Sequence, residues 1–406
     1  VKKLIISLIL ILVLSTPGCS FTALPMRREI DDLLLVEVLG LDKSNDGAGN
    51  HIITIASRIL EQSEGGQTQQ DGSGEEGKVS PGGKALITTT QGKTLFDAVR
   101  NIQNNTDKSL FWAHTKYLLI GEEAARDNIA KYIDFASRDH EFQLNCRVYV
   151  VKGTTAKELM MKFNQSEFYI ADKLESLGRS YKLLGTSEEL ELVELMRFFD
   201  IHFGSARIPC IQLVNRESSQ GQKAPDIESD GYAIAADLKL VSYIGRDISR
   251  GVNLIANKID SSIVTVKDLT GEDVTLELIF SNTEAIPHFA GDVLEEITLK
   301  TTVVSNLGEI QSQVPSIYEE NIEYMEAQQS SILENEIKRV LGVVREAESD
   351  CLSICDMIRL KNPVKWHKIE DQWINIMQYL KTHVVVESHI KKSYELDEPS
   401  GLKGKK

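Results

Sequence analysis

Cysteine is scarce in this 406-residue chain: five residues in all, too few for a disulfide-dense secreted scaffold. Positive charge is also in deficit, with 45 basic against 60 acidic residues and a net charge of −15. Such a surface repels phosphate backbones, and no long basic stripe offsets it, which excludes a nucleic-acid-binding role. Long hydrophobic runs are missing as well. The longest, Leu4 to Leu14, is interrupted only by Ser7 and spans ~16 Å as a helix, about half of a bilayer's hydrocarbon core. A polytopic membrane fold is therefore excluded. The His-Glu-x-x-His spacing of zinc hydrolases, the Gly-x-Ser-x-Gly elbow, the phosphate loop and the dinucleotide fingerprint are all absent. What is present is an ordinary apolar content of 42%, enough for the cores of two or three domains.

The first twenty residues set the expected compartment. Val1 reads as a translated start codon. Lys2 and Lys3 precede the apolar run, the charge layout of a secretory signal. Leu14-Ser15-Thr16-Pro17-Gly18-Cys19 follows, and a small residue just before a cysteine at that place resembles the lipobox of bacterial lipoproteins. The resemblance implies residues 1–18 as a signal peptide and Cys19 as the lipidated residue, carrying diacylglyceryl and acyl (palmitate-type) chains. Each buried methylene contributes ~0.8 kcal/mol, so two acyl chains suffice for stable anchoring. The alternative is an ordinary cleaved signal followed by an incidental cysteine. Cleavage leaves 43 basic against 60 acidic residues, a body that anionic headgroups hold off the surface.

Beyond the signal the chain reads as α+β and multi-domain, with mixed and antiparallel sheets, packed helices and one long C-terminal helix. Residues 19–214 form an expected N-terminal α+β domain with strands over 36–41, 51–60, 85–90, 115–120 and 144–151. Helical periodicity covers 93–103, 122–129, 131–137, 154–163 and 188–199. Asp42 to Gly47 opens like a calcium loop, but position twelve is Ile53 where a bidentate Glu is required, so a hairpin turn is expected. Residues 61–84, with seven Gly and no aromatic residue, read as a flexible insertion. A polar linker is expected over 215–230. A C-terminal α+β domain follows over 231–393, and then a frayed tail over 394–406. In that domain strands at 232–236, 239–244, 263–267, 274–280, 294–304 and 383–390 flank a helix of roughly 40 residues starting near Ile317.

Sites for chemistry are few. Cys351 and Cys355 are spaced to share one face of that long helix, where an apolar stripe makes them buried thiols rather than half of a zinc site. Cys146 and Cys210 also read as core; together the four thiols could pair as two disulfides in three ways. Eight scattered histidines offer no shared ligation, since six residues of strand put His383 and His389 about 20 Å apart. Acidic pairs such as Asp31/Asp32 and Glu295/Glu296 read as solvated charges. No catalytic residue, metal or cofactor is expected.

Four blocks in order carry a resemblance across residues 19–390. They are Arg27-Arg28-Glu29-Ile30-Asp31-Asp32 with the strand to Asp42; Gly92-Lys93-Thr94-Leu95, Leu110-Phe111-Trp112-Ala113-His114-Thr115-Lys116, Ile120-Gly121-Glu122 and Arg138-Asp139; Gly231-Tyr232-Ala233 with Arg250-Gly251; and Asp350 with Asn362-Pro363-Val364-Lys365-Trp366 and Trp373. With the lipobox they resemble the Ger(x)C family, the C-subunit lipoproteins of bacterial spore germinant receptors. The resemblance implies a subunit on the outer face of the spore inner membrane. Its partners would be the A and B membrane subunits of a nutrient receptor, and no catalytic residues are implied.

Phe111 and Trp112 are the candidate partner contacts, because aromatic anchors dominate interfaces, although core packing is the favoured reading for Trp112 itself. Trp366 and Trp373, seven apart, are expected in the core. The alternative function is a solute-binding lipoprotein that itself takes up the germinant or another small molecule. The β-then-long-helix order of the C-terminal half argues against its two-lobed architecture.

Overall fold

The computed structural model describes residues 32–58, 85–104, 106–166, 168–217, 221, 223–310 and 319–391. Cys19, the signal segment, the 61–84 insertion and the 394–406 tail lie outside the described residues. The first part of the chain runs β1 (Leu33–Lys43), β2 (His51–Arg58), β3 (Ala85–Gly92), α1 (Leu95–Gln103), β4 (Ser109–Phe111), β5 (Tyr117–Gly121) and α2 (Glu122–Arg138). It continues with β6 (Arg147–Lys152), α3 (Ala156–Phe163), α4 (Ile170–Leu184), α5 (Leu192–Ile201), β7 (Ala206–Glu217), β8 (Lys223–Ala236) and β9 (Lys239–Ile244). These strands form one nine-stranded sheet in the order β3-β2-β1-β5-β6-β7-β8-β9, with β4 beside the start of β1. Its centre, β1-β5-β6-β7, is parallel and its flanks are antiparallel.

A parallel centre is stable only with both faces covered, which explains the unbroken apolar run Tyr117-Leu118-Leu119-Ile120. Leu118 and Ile120 face a core shared with α1, α2 and α5, while Tyr117 and Leu119 face α3 and α4 on the other side. Helix α2 is interrupted where two separate helical patterns were expected. Asn128 is extended, and its Oδ1 accepts from the amide of Lys131 at 3.1 Å to restart the helix. At the end of β1, buried Asp42 accepts from the amides of Ala156 (2.7 Å) and Lys157 (2.8 Å) and so caps α3. The β1–β2 connection is the expected hairpin.

The second part runs α6 (Ser249–Ile255), β10 (Ser262–Lys267), β11 (Asp273–Ala290), β12 (Val293–Ile310), α7 (Glu319–Glu346) and α8 (Ile354–Lys361). It ends with α9 (Pro363–Trp366), α10 (Trp373–Tyr379) and β13 (Lys381–Lys391). The last sheet is ordered β10-β11-β12-β13, antiparallel except for the parallel β12–β13 pair. Met325, Leu333, Ile337, Val340 and Val344 of α7 are buried in one cluster with Val274, Leu276, Leu278, Leu299 and Val303 of that sheet. Each fully buried side chain of this kind contributes about 1.5–3 kcal/mol. The fold is α+β, as read from the sequence, and its strands form two sheets.

Three expectations are corrected. The linker over 215–230 is a β-hairpin, with Asn215 opposite Pro225 and Glu217 opposite Lys223. Its residues look like a linker because Asn215, Arg216, Glu217 and Lys223 are polar and exposed. In consequence β8 and β9, which reach into the expected C-terminal domain, complete the N-terminal sheet. The long helix stops at Glu346, and left-handed Glu348 (φ 52) and Ser353 (φ 60) bracket a turn. Cys351 therefore sits in that turn and Cys355 in α8, not on one helical face. The helix expected from Glu188 begins at Leu192, capped by a reciprocal Glu191/Glu194 box. All four described cysteines are free and buried.

Candidate functional site at the domain junction

The polar groups that bind the two sheets together converge where β7 meets the turn after α7. Arg207 interrupts the apolar run from Ala206 to Ile211, and its side chain is almost fully buried. Its Nε donates to Glu188 Oε1 at 2.6 Å, and a terminal nitrogen donates to the carbonyl of Cys351 at 2.9 Å. Beside it Ser205 Oγ accepts from the amide of Asp350 (3.2 Å), and Ser349 Oγ donates to the carbonyl of Ala235 (2.6 Å). Buried charges are tolerable only when paired and hydrogen-bonded, and this pair meets both conditions.

Asp350 is the hub on the C-terminal side. It is fully buried, and its carboxylate accepts from the amides of Ile354 and Cys355 and from Trp373 Nε1, each at 2.9 Å. Burial pushes its carboxyl above the usual range, opposed by those donors. The two amides belong to the first turn of α8, so Asp350 restarts the helix that the left-handed turn interrupts. Trp373 packs edge-on against Trp366 with ring centroids 5.3 Å apart.

Next to this hub, His202 at the end of α5 lies with Nε2 2.8 Å from Asp356 Oδ2. His202, Cys355 and Asp356 bring three donor atoms within 4.8 Å of one another. Arg359 already pairs with Asp356 at 2.6 Å, and burial drives the Cys355 thiol far above its ordinary value. A protonated thiol and a carboxylate already paired with Arg359 make this a hydrogen-bonded joint between α5 and α8. Burial likewise raises the Cys351 thiol to about 12, so it is held protonated.

Of the residues singled out in the sequence, Asp350, Trp366 and Trp373 are thus brought together, and Arg250 and Gly251 join α6 to α7. Arg250 Nε donates to Glu336 Oε2 at 2.9 Å, and a Cβ at Gly251 would lie 3.0 Å from the backbone of Glu336. Gly231 is left-handed (φ 69), and a Cβ there would meet the carbonyl oxygen of Ile244 at 2.1 Å. Tyr232 hydrogen-bonds buried Asn253. Phe111 and Trp112 lie far from the hub in sequence and separate in role. Trp112 lies in the core, the reading that competed with partner contact, packed against Phe135 and Phe142. Phe111 is half-buried, its ring 5.5 Å from that of His114. Arg207, Glu188, Ser205 and His202 were not anticipated; the usable signal was a lone arginine inside an apolar strand.

Comparison with known proteins decides the family. A model described as the spore germination protein N-terminal domain matches residues 26–213, and one described as spore germination B3/GerAC like, C-terminal, matches residues 230–394. The chain belongs to the Ger(x)C family. It is 21% identical over 384 residues to spore germination protein KC of Bacillus subtilis, covering 92% of this chain and 91% of that one. It is 22% identical over 355 residues to spore germination protein B3 of the same organism, covering 86% and 88%. The crystal structure of the GerBC protein shares the fold with a TM-score of 0.52 and 19% identity, covering 87% of this chain and 96% of that chain. Family members are subunits of spore germinant receptors, and a role in germination follows for this Ger(x)C chain. Among the described residues no helix is long and apolar enough to cross a membrane.

Proposed function

We propose that this Ger(x)C chain is a lipid-anchored, non-enzymatic subunit of a spore nutrient germinant receptor. It is needed for assembly with the A and B membrane subunits and for the germination response. The observation that carries the reading is the succession of the two germination-family matches over residues 26–213 and 230–394. The junction is consistent with it, being built from a paired Arg207–Glu188 charge and two thiols that burial holds protonated. Chains on Cys19 hold the body on the outer face of the spore inner membrane, and two acyl chains are sufficient for that.

Spores carrying Cys19→Ala test the anchor: the protein should leave the membrane fraction, and its persistence there would overturn lipidation. A deletion strain tests assembly. The A and B subunits should fall in abundance and nutrient germination should fail, whereas unaltered levels with normal germination would refute the role. Calorimetry of the purified chain with amino acids and sugars should give no heat of binding. Saturable binding would favour the solute-binding alternative.

A further inference from the structure

His202 closes the end of α5, and Cys355 and Asp356 stand in the first turn of α8. His202 and Asp356 are 154 residues apart in the chain, so no spacing in the sequence shows them together. One nitrogen, one sulfur and one oxygen from these three side chains lie within 4.8 Å of one another. His202 and Cys355 are buried, while the side chain of Asp356 keeps 23% of its surface open, which gives an ion a way in. Asp356 divides its two oxygens: Oδ1 accepts from Arg359 at 2.6 Å, and Oδ2 lies 2.8 Å from His202 Nε2. The other ring nitrogen, Nδ1, is buried with no hydrogen-bond partner among the described residues.

Imidazole, thiolate and carboxylate are the ligands that zinc takes, at about 2.0–2.1, 2.3 and 2.0–2.2 Å. A tetrahedron with those bond lengths sets its donors roughly 3.3–3.8 Å apart. The 2.8 Å from Nε2 to Oδ2 falls short of that range, and the 4.8 Å limit on the cluster lies above it. Side-chain movements of about 1 Å therefore suffice to close a shell. The nitrogen and sulfur donors disfavour magnesium and calcium, which take oxygen. Zinc with one thiolate and one carboxylate carries no net charge, as a buried site requires. Burial opposes a bare thiolate at Cys355, and a bound cation removes that cost. Arg359 holds the carboxylate by its other oxygen, the kind of outer bond that orients a metal ligand.

We propose that His202, Cys355 and Asp356 bind one zinc ion that pins α8 to α5, with water in the fourth position. On binding, the Cys355 thiol proton passes to solvent, and the ring proton of His202 moves from Nε2 to the unpartnered Nδ1. Three protein ligands, where a permanent structural site has four, make the clamp reversible. Cys351, in the turn before α8, stands outside the cluster. The expectation that no metal binds came from the Cys351/Cys355 spacing, which misses the ligand supplied by α5. The inference goes beyond the receptor role and depends neither on Cys19 nor on the partner subunits.

The test uses the purified full-length chain, stripped with EDTA, and zinc chloride alone. Competition with a chromophoric chelator should give one zinc per chain and a dissociation constant below about 10 µM. Cobalt(II) in place of zinc should show the near-ultraviolet charge-transfer band of a cobalt–thiolate bond. Cys355→Ser should abolish that band and weaken zinc binding at least about 100-fold. Asp356→Asn, at a partly exposed side chain, keeps the thiol and should weaken zinc binding at least about tenfold; it carries the test should Cys355→Ser misfold. Zinc should raise the thermal midpoint of the parent chain and leave that of Cys355→Ser unmoved. Binding weaker than about 10 µM, or a cobalt complex without the thiolate band, would overturn the proposal. A band that survives Cys355→Ser would place the metal on another thiol, and affinity unchanged in both variants would place it on other ligands; either result overturns the proposal too.

Discussion

The indole Nε1 of Trp373 donates to Asp350 Oδ2 at 2.9 Å, joining two buried residues that the left-handed turn and α8 separate in the chain. The same oxygen accepts the amide of Cys355, and its partner oxygen that of Ile354. Asp350→Ala strands three buried donors at once. An unsatisfied buried group costs about 1–3 kcal/mol, so this variant should lose at least about 3 kcal/mol. Trp373→Phe removes one donor and some packing and should lose about 1–3 kcal/mol. Urea unfolding monitored by far-ultraviolet circular dichroism measures both. Equal losses would mean that Asp350 serves Trp373 alone and not the start of α8.

A second expectation concerns pH. Burial pushes the Asp42 carboxyl from 3.8 up to about 6, outweighing the amides of Lys157 and Ala156 that favour its ionised form. The folded chain then holds this proton more tightly than the unfolded chain does. The stability contributed by Asp42 is fully present below about pH 4 and is lost as pH rises through about 6. A rise of that size corresponds to about 3 kcal/mol. Asp42→Asn carries no such titration. The difference in unfolding free energy between variant and parent should move in the variant's favour by about 3 kcal/mol between pH 4 and 7. A difference that stays flat across that range would show that the α3 amides keep the carboxylate ionised throughout.

The Arg207–Glu188 pair gives a third. Both side chains are nearly buried, at 4% and 9% exposure. Removing one partner leaves an uncompensated charge, so Arg207→Met alone should cost about 3–5 kcal/mol. Adding Glu188→Leu should recover most of that loss, because a well-packed apolar pair often matches a buried ion pair. A double-mutant cycle by thermal unfolding reads the coupling. Additive losses would mean that the junction depends on the Arg207 bond to the Cys351 carbonyl and not on the ion pair.

What could be read from the sequence follows the physical origin of each signal. The runs Tyr117 to Ile120 and Val148 to Val151 announce strands because both faces are buried and every position is apolar. The break at Asn128 was legible as two helical patterns, since local periodicity changes phase there. The hairpin over 215–230 was not, because Asn215, Arg216, Glu217 and Lys223 are exposed and polar and give its outer half the composition of a linker. The end of α7 was hidden for the opposite reason. Cys351 and Cys355 continue its apolar stripe in sequence, while the turn at Glu348 to Ser353 is imposed by contacts with Ser205, Ala235 and Arg207 from the other sheet. The junction as a whole is a non-local product: Glu188, His202 and Arg207 acquire meaning only through partners more than a hundred residues away or buried beside them.

Phe111 and Trp112, adjacent in the chain, should separate folding from partnership. Trp112 is 4% exposed and packs between Phe135 and Phe142, so Trp112→Ala should cost about 3–5 kcal/mol through the cavity it leaves. Phe111 is half-buried at the end of β4, against the exposed edge of the core. Phe111→Ala should cost less than about 1.5 kcal/mol in unfolding free energy. If Phe111 meets a receptor subunit, that mild variant should nevertheless co-purify with the A and B subunits from spore membranes at a lower yield than the parent chain. The comparison is internal, because Trp112→Ala loses partners only as far as it loses folded protein. Parental yield from Phe111→Ala would place the partner contact elsewhere on the chain.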